Sequence, residues 1–394
     1  MRTVGVEEEL LVVNDAGLPV PWSPQALEIA ARRGEGETVG EHDRAEQADD
    51  HGAAGTDDES EEGERRSAAH LMPELKAQQI ELGTEVCTTL GEVAAQLRHW
   101  RSRADVAAAS VGARVAALAT SPVPVDPIAT KGERFTALHE TFALTAGEML
   151  TCGCHVHVSV ESPEEGVAAL DRLRAWLPVV VAMSTNSPFW QGRDTGYAGY
   201  RTQVWARWPS AGPADLHRTP ERYHALVESL IATGAVLDRG MVYFDARLSA
   251  SYPTVEVRVA DVAQDVRHSV MLAGLVRGLV DTAVADWRDG RPPPEVPTVV
   301  LQAATWRASR FGLSDQLVHP VTGELRPAPE VVRDLVDRVA PALADNGDRE
   351  LVDTTLERLL ADGTGADRQR AEHARRGRLE DVVAAAVEAS QEPT

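Results

Sequence analysis

The sequence predicts an α+β fold built on a largely antiparallel sheet. Three observations carry that prediction. Segments with the two-residue period of a strand concentrate in the first two thirds of the 394 residues, helical periods frame them, and the pattern from Asp265 onward is mostly helical. There is no internal repeat.

Taken in order, residues 3–13 alternate and read as a strand. Gly34 to Ser67 is acidic, rich in Gly and Ala, and carries roughly ten of the net negative charges. Such a segment is expected to be largely disordered, or a solvated loop with at most one short strand near Thr38–Glu41 and no chemical role. "LKAQQIELGTEVC" fits a second strand. Thr89 to about Ala109 is a helix, with Leu90, Val93, Leu97 and Trp100 at helical spacing. "ARVAALATSPVPVDP" reads as a strand that runs into a proline-rich loop. Glu133 to Leu150 reads as one amphipathic helix feeding a strand at 152–160. Pro163 to about Ser184 reads as one long helix entered through Ser162 as N-cap. Asn186 to Pro213 mixes Gly, Pro, Arg and aromatics without period, as functional loops do. Pro220 to Leu237 is helical, and "MVYFDARLS" and "TVEVRVADV" are two strands separated by the turn "ASYP".

Composition narrows the function. Hydrophobic residues make up 43% and charged residues 25%, as in an ordinary globular protein. A net charge of −22 disfavours nucleic acid, whose phosphates call for a basic stripe. No apolar run is long enough to cross a bilayer, and "MRTVGVEEELLVV" is too acidic for a signal peptide, so no membrane partner is expected. Three cysteines do not make a disulfide framework, and the cytoplasm is the expected compartment. Lys76 and Lys131 are the only lysines, and neither closes a Gly-Lys-Ser/Thr loop. A nucleotide triphosphate would therefore have to be bound without a P-loop.

The segment "TCGCHVHVSV" (151–160) gathers four residues that ligate zinc well, but a strand divides them. Cys152 and Cys154 fall with Val156 and Val158 on one face, and His155 and His157 with Gly153 and Ser159 on the other. A four-ligand zinc site would need the strand broken. The same alternation puts Glu256 and Arg258 with Thr254, opposite Val255, Val257 and Val259. It puts Glu7 and Glu9 with Gly5, opposite Val4, Val6 and Leu10, with Glu8 as the exception. Gln79, Glu81 and Glu85 oppose Ile80, Leu82 and Val86. If these faces share one sheet, Glu7, Glu9, Glu81 and Glu256 repel one another, unless they are spread out or cations sit between them. Clustered carboxylates with a little imidazole suit Mg²⁺ or Mn²⁺, and Arg258 and Arg201 could clamp a transferring phosphoryl group. A zinc hydrolase built on His155 and His157, and a binding protein that has lost turnover, are the competing readings.

"VGVEEELLVV", "QQIELGTEVC", "CGCHVHVSV", "NSPFWQGRDTGYAGYR", "WPSAGP" and "TVEVRVADV" resemble, in that order, the bacterial carboxylate–amine ligases grouped as glutamate–cysteine ligase type 2. The resemblance covers the chain except the acidic insertion at 34–67, so 1–394 is expected to form a single catalytic domain. It implies the glutamine synthetase/glutamate–cysteine ligase superfamily, with a curved, largely antiparallel sheet forming a funnel and helices outside. It also implies ATP, bound Mg²⁺ or Mn²⁺, amino-acid substrates, an acyl-phosphate intermediate and room for a homodimer. Carried over by position, Glu7, Glu9, Glu81 and Glu256 are expected metal ligands, with His155 and His157 near metal or nucleotide phosphate. Arg258 is expected on phosphate, and Tyr200 and Arg201 match the tyrosine–arginine of the long loop. No protein nucleophile is needed, and burial accounts for the cysteines. The insertion lies where an ordered edge strand is expected, which leaves the local sheet order open.

Overall fold

The computed structural model describes residues 1–44 and 70–391. Its centre is a seven-stranded sheet assembled from β1 (Val4–Val13), β2 (Leu71–Pro73), β3 (Gln79–Gly83), β4 (Arg114–Ala116), β5 (Gly153–Ser159), β8 (Ala246–Leu248) and β9 (Thr254–Asp261). The two-residue strands β6 (Phe189–Trp190) and β7 (Arg193–Asp194) form a separate hairpin. Strand order in the large sheet is β2-β3-β1-β5-β9-β8, with β4 also paired to β1, and every pairing is antiparallel. The sheet does not close on itself, and its polar face forms the wall of a funnel.

The apolar face follows the alternation of the sequence. Val4, Val6 and Leu10 of β1, Cys154, Val156 and Val158 of β5, and Val255 and Val257 of β9 are all buried. Each such aliphatic side chain contributes about 1.5–3 kcal/mol on leaving water. They pack beneath helices Leu90–Ala109 and Val266–Arg288. The first helix starts at a reciprocal cap, in which Thr89 accepts from the Glu92 N–H and the Glu92 carboxylate accepts from the Thr89 N–H. The second has the length and mean hydropathy (1.2) of a membrane span, where the sequence suggested none, but 83% of that apolar window is buried inside the protein.

Glu8 is the exception in the alternation of β1, and the fold accommodates it with a counter-charge. Its fully buried carboxylate accepts from Arg101 Nε and Nη2, both at 2.7 Å, and from Ser269 Oγ at 2.6 Å. The remaining Arg101 donors reach the carbonyls of Ala263 and Gln264.

Several elements differ from the sequence reading. The 133–150 helix divides into Glu133–Phe142 and Leu144–Glu148 at Ala143, whose φ of 46° no α-helix permits. The 163–184 helix divides into Pro163–Leu173 and Leu177–Ser184, because Pro178 has no N–H to continue the ladder and sits in a new first turn. The second strand ends at Gly83, so Glu85 and Val86 lie outside the alternation and Val86 is exposed. In "MVYFDARLS" only 246–248 pair as a strand; upstream the Asp245 N–H donates to Gly212 O, and Asp245 O accepts from the Arg258 N–H. Residues 39–44 are helical rather than extended, and Gly36 bridges Leu71, so the edge strand is β2. The rest of the acidic insertion, 45–67, lies outside the described residues.

One irregularity shapes the polar face. β5 and β9 pair Cys154 with Ala260 but Val156 with Val257, so Arg258 and Val259 together oppose His155. This β-bulge adds one residue to β9 and turns the strand locally.

Candidate active site

The register brings the ionisable residues of four strands side by side. Glu7 lies opposite His155, Glu9 opposite Glu81, and His157 opposite Glu256, while Arg247 of β8 faces Glu256 from the far side. They line one cavity of about 280 Å³, together with Arg258, Glu74, Arg134 and Tyr243.

Within it the charges are tightly connected. Glu7 lies between the two imidazoles, with His155 Nδ1 at 3.4 Å and His157 Nε2 at 3.3 Å. His157 Nδ1 is 3.0 Å from Thr254 Oγ1. Glu256 receives Arg247 through Nε at 2.7 Å and Nη2 at 3.3 Å, and it also pairs with Arg258. Glu9 accepts from the Gly153 N–H at 2.7 Å and lies 3.9 Å from His155 Nε2.

Burial opposes ionisation of Glu7 and Glu256, but their partners prevail. His157 and His155 hold the Glu7 carboxyl well below the usual range, and Arg247 and Arg258 do the same for Glu256. Glu81 is the reverse case: burial and then the charges of Glu7, Glu74 and Glu9 push its carboxyl well above the usual range. Burial and Arg258 lower the pKa of His155, whereas Glu7 and Glu256 raise that of His157 against its burial.

The donor set fits divalent cations. Ligand atoms of Glu7, His157 and Glu256 all lie within 4.8 Å of one another, as do those of Glu7, Glu81 and His155. The Nε2 atoms of both histidines are buried and, among the described residues, form no aligned hydrogen bond, although His157 Nε2 lies 3.3 Å from a Glu7 oxygen. Carboxylates outnumber imidazoles, as Mg²⁺ or Mn²⁺ prefers, and a cation between them would relieve the repulsion around Glu81. Glu9 is in neither triplet; one of its oxygens accepts from the Gly153 amide and the other lies 3.9 Å from His155 Nε2. Cys154 is buried on the opposite face, whereas Cys152 lies just ahead of β5 with Gln79 Nε2 3.6 Å from its sulfur, so the two cysteines do not share the face expected of them; burial raises both thiols.

The long loop reaches a second cavity through Arg201 and both cavities through Trp205. Arg201 is buried and lines a space of about 270 Å³ behind the funnel, which shares Arg258, Trp205 and Tyr243 with it. Gly153 lets this happen: a Cβ there would run into the Arg201 guanidinium. Tyr200 lines neither cavity and packs against Trp190 and Tyr197. The residues that the sequence reading passed over are Arg247, Arg134, Glu74, Trp205 and Tyr243. Arg247 had a signal, since Tyr243, Asp245 and Arg247 alternate against Val242, Phe244 and Ala246. Glu74 and Arg134 reach the cavity from outside the alternating strands and carry no such pattern.

A funnel of antiparallel strands with carboxylates, imidazoles and arginines on its inner face is a glutamine synthetase-like fold. Two solved structures share it. Glutamate–cysteine ligase from Francisella tularensis, solved in complex with AMP, superposes with a TM-score of 0.65 at 12% identity, covering 100% of this chain and 89% of that one. A bifunctional glutathione synthetase from Pasteurella multocida gives 0.64 at 11% identity, covering 99% of this chain and 52% of the other. At the sequence level, the family model for glutamate–cysteine ligase family 2 matches residues 3–385, and the chain belongs to that family. Among its relatives, a Streptomyces avermitilis protein named "Putative glutamate--cysteine ligase 2-1" is 46% identical over 391 residues, 99% of this chain and 100% of that one.

Proposed function

We propose that the protein is an ATP-dependent carboxylate–amine ligase that works through an acyl phosphate. The observation that carries this reading is the inner face of the funnel, where Glu7, Glu81, Glu256, His155 and His157 converge opposite Arg247 and Arg258. Glu7, His157 and Glu256 would hold one divalent cation, and Glu7, Glu81 and His155 a second. Such cations screen the polyphosphate of ATP and favour attack at its terminal phosphorus. Arg258, kept protonated by Glu256, is placed to neutralise the charge that develops on the transferring phosphoryl group. Arg247 holds Glu256 in position from behind. An oxygen of the substrate carboxylate attacks the γ-phosphorus, ADP leaves, and an amine then displaces phosphate from the acyl carbon to give an amide. Nothing in this sequence of steps calls on a thiol.

L-Glutamate with L-cysteine, giving γ-glutamylcysteine, is the first pair to assay, because the F. tularensis structure and the family relatives carry that name. The test incubates the protein with Mg²⁺, ATP and a panel of amino acids. ADP release and trapping of a hydroxamate by hydroxylamine are expected; absence of both with every pairing, together with no nucleotide binding, would overturn the proposal.

A further inference from the structure

The two histidines of β5 differ in what holds their rings. His155 meets carboxylates through both nitrogens, with Nδ1 3.4 Å from Glu7 and Nε2 3.9 Å from Glu9. His157 meets Glu7 through Nε2 alone, at 3.3 Å, and its Nδ1 lies 3.0 Å from the hydroxyl of Thr254. That hydroxyl is neutral, and His157 is its only hydrogen-bond partner among the described residues. Thr254 shares the polar face of β9 with Glu256, yet it lines neither cavity and the steps of ligation do not call on it.

The place of this hydroxyl is set by the backbone. Thr254 opens β9 directly after the turn at 249–253. Its N–H donates to the Tyr252 carbonyl at 2.7 Å, and its own carbonyl accepts from the Ser249 N–H at 3.0 Å. Across the β5–β9 pairing it lies opposite Ser159, two positions from His157, so the hydroxyl reaches the ring on the diagonal. A β-branched side chain is stiff at χ1, and the strand therefore fixes the direction of the oxygen as well.

What the hydroxyl controls is the proton on the ring. A neutral imidazole has one N–H and one lone pair, and a ligand nitrogen must present the lone pair. The nitrogen beside Glu7 is Nε2. A proton there would stand in the place of a cation, whereas a proton on Nδ1 leaves the Nε2 lone pair facing the carboxylate, an arrangement that a cation between them makes favourable. Nδ1 keeps the proton when an acceptor stands opposite it, and Thr254 Oγ1 is that acceptor. We propose that Thr254 is a positioning residue of the cation site: its hydroxyl accepts the Nδ1–H of His157 and frees Nε2 to ligate together with Glu7 and Glu256. A hydroxyl suits this role because it also donates. The contact persists without a cation, when the ring proton sits on Nε2 and faces Glu7. A carboxylate at 254 would lock the ring too, but it would add charge to a funnel already crowded with it.

This rests on the reading of Glu7, His157 and Glu256 as one cation site, and it gives the two histidines different parts. His157 is aligned by a protein group before the metal arrives, and His155 has no neutral acceptor to do the same.

Calorimetric titration of Mn²⁺ into the full chain, without nucleotide, tests the assignment on Thr254→Val and Thr254→Ser. Valine keeps the shape and removes the hydroxyl, so its Kd for Mn²⁺ should rise about 10–100-fold, whereas serine restores the acceptor and should stay within about threefold of the wild type. Nitrogen-15 NMR of the imidazoles with Mg²⁺ bound should find His157 protonated at Nδ1 in the wild type and in Thr254→Ser. Wild-type affinity in Thr254→Val would overturn the proposal. So would an equal loss in both variants, which would assign the effect to packing rather than to the hydroxyl. Should Thr254→Val not fold, the NMR decides alone, and a His157 protonated at Nε2 with Mg²⁺ bound would overturn the proposal. A protein that binds Mn²⁺ in this Thr254-dependent way but releases no ADP and forms no hydroxamate would overturn the ligase reading and leave the positioning role standing.

Discussion

At the scale of single residues, the funnel is a place where stability has been given up. Glu81 sits against Glu7, Glu74 and Glu9 with burial adding to the repulsion. Glu81→Gln should therefore melt higher than the wild type in EDTA, by on the order of 1 kcal/mol, while binding Mn²⁺ more weakly. Thermal melts paired with calorimetric titration check both halves; a lower melting point in EDTA would contradict the repulsion. Glu256→Gln is expected to cut ADP formation by at least about a hundredfold with the circular dichroism spectrum unchanged, because it removes a ligand oxygen and the acceptor that aligns Arg258. Near-normal turnover would mean that the metal site is elsewhere. Most of these residues were legible beforehand, since His155, His157, Glu7, Glu9, Glu81, Glu256 and Arg258 alternate with aliphatic neighbours. Alternation says which face a side chain takes but not what it meets there. It sets Glu9 on the funnel wall but does not show that one of its oxygens also accepts from the Gly153 amide of the next strand.

At the scale of elements, the strands and helices that carry buried side chains followed their periodicity, and the breaks did not. Strand β1 and helix Leu90–Ala109 have the expected bounds to within a residue. The two interrupted helices depend on a single backbone angle at Ala143 and on a proline that could have been accommodated as a first-turn residue either way. The contact between β1 and that helix predicts its own weak point. Arg101→Met leaves the Glu8 carboxylate buried opposite an apolar side chain and should cost about 3–5 kcal/mol in urea unfolding. Helix Val266–Arg288 supplies a pH response. His268 lies in its first turn, where burial pushes the imidazole down to about 4, with Arg368 and Arg267 adding to the effect and Asp265 opposing it. The unfolded chain takes up this proton near the ordinary value of 6.5 and the folded chain only near 4. Stability is therefore complete above pH 6.5 and falls progressively as the pH drops toward 4, by on the order of 3 kcal/mol from this group. Unfolding free energies at pH 7 and 4.5 should fall more steeply for the wild type than for His268→Gln.

For the whole molecule, the fold class was readable because a sheet polar on one face and aliphatic on the other needs helices on only one side. The second cavity was not readable, because it joins a loop, a strand and a helix that share no period. Folded protein alone gathers the funnel carboxylates, so Mn²⁺ should raise the melting temperature, with a stabilisation of about 2.7 kcal/mol at a hundredfold excess over its dissociation constant, reversed by EDTA. The bulge that sets Arg258 and Val259 against His155 bears on how such a protein can diversify. Inserting or deleting one residue within β9 would move the side chains beyond it to the other face and disturb both cavities together, and the turn at 249–253 is constrained too, because Ser249 and Tyr252 line the funnel. Chemistry is thus written into a strand that tolerates no change of length. Relatives should therefore keep β9 at one length.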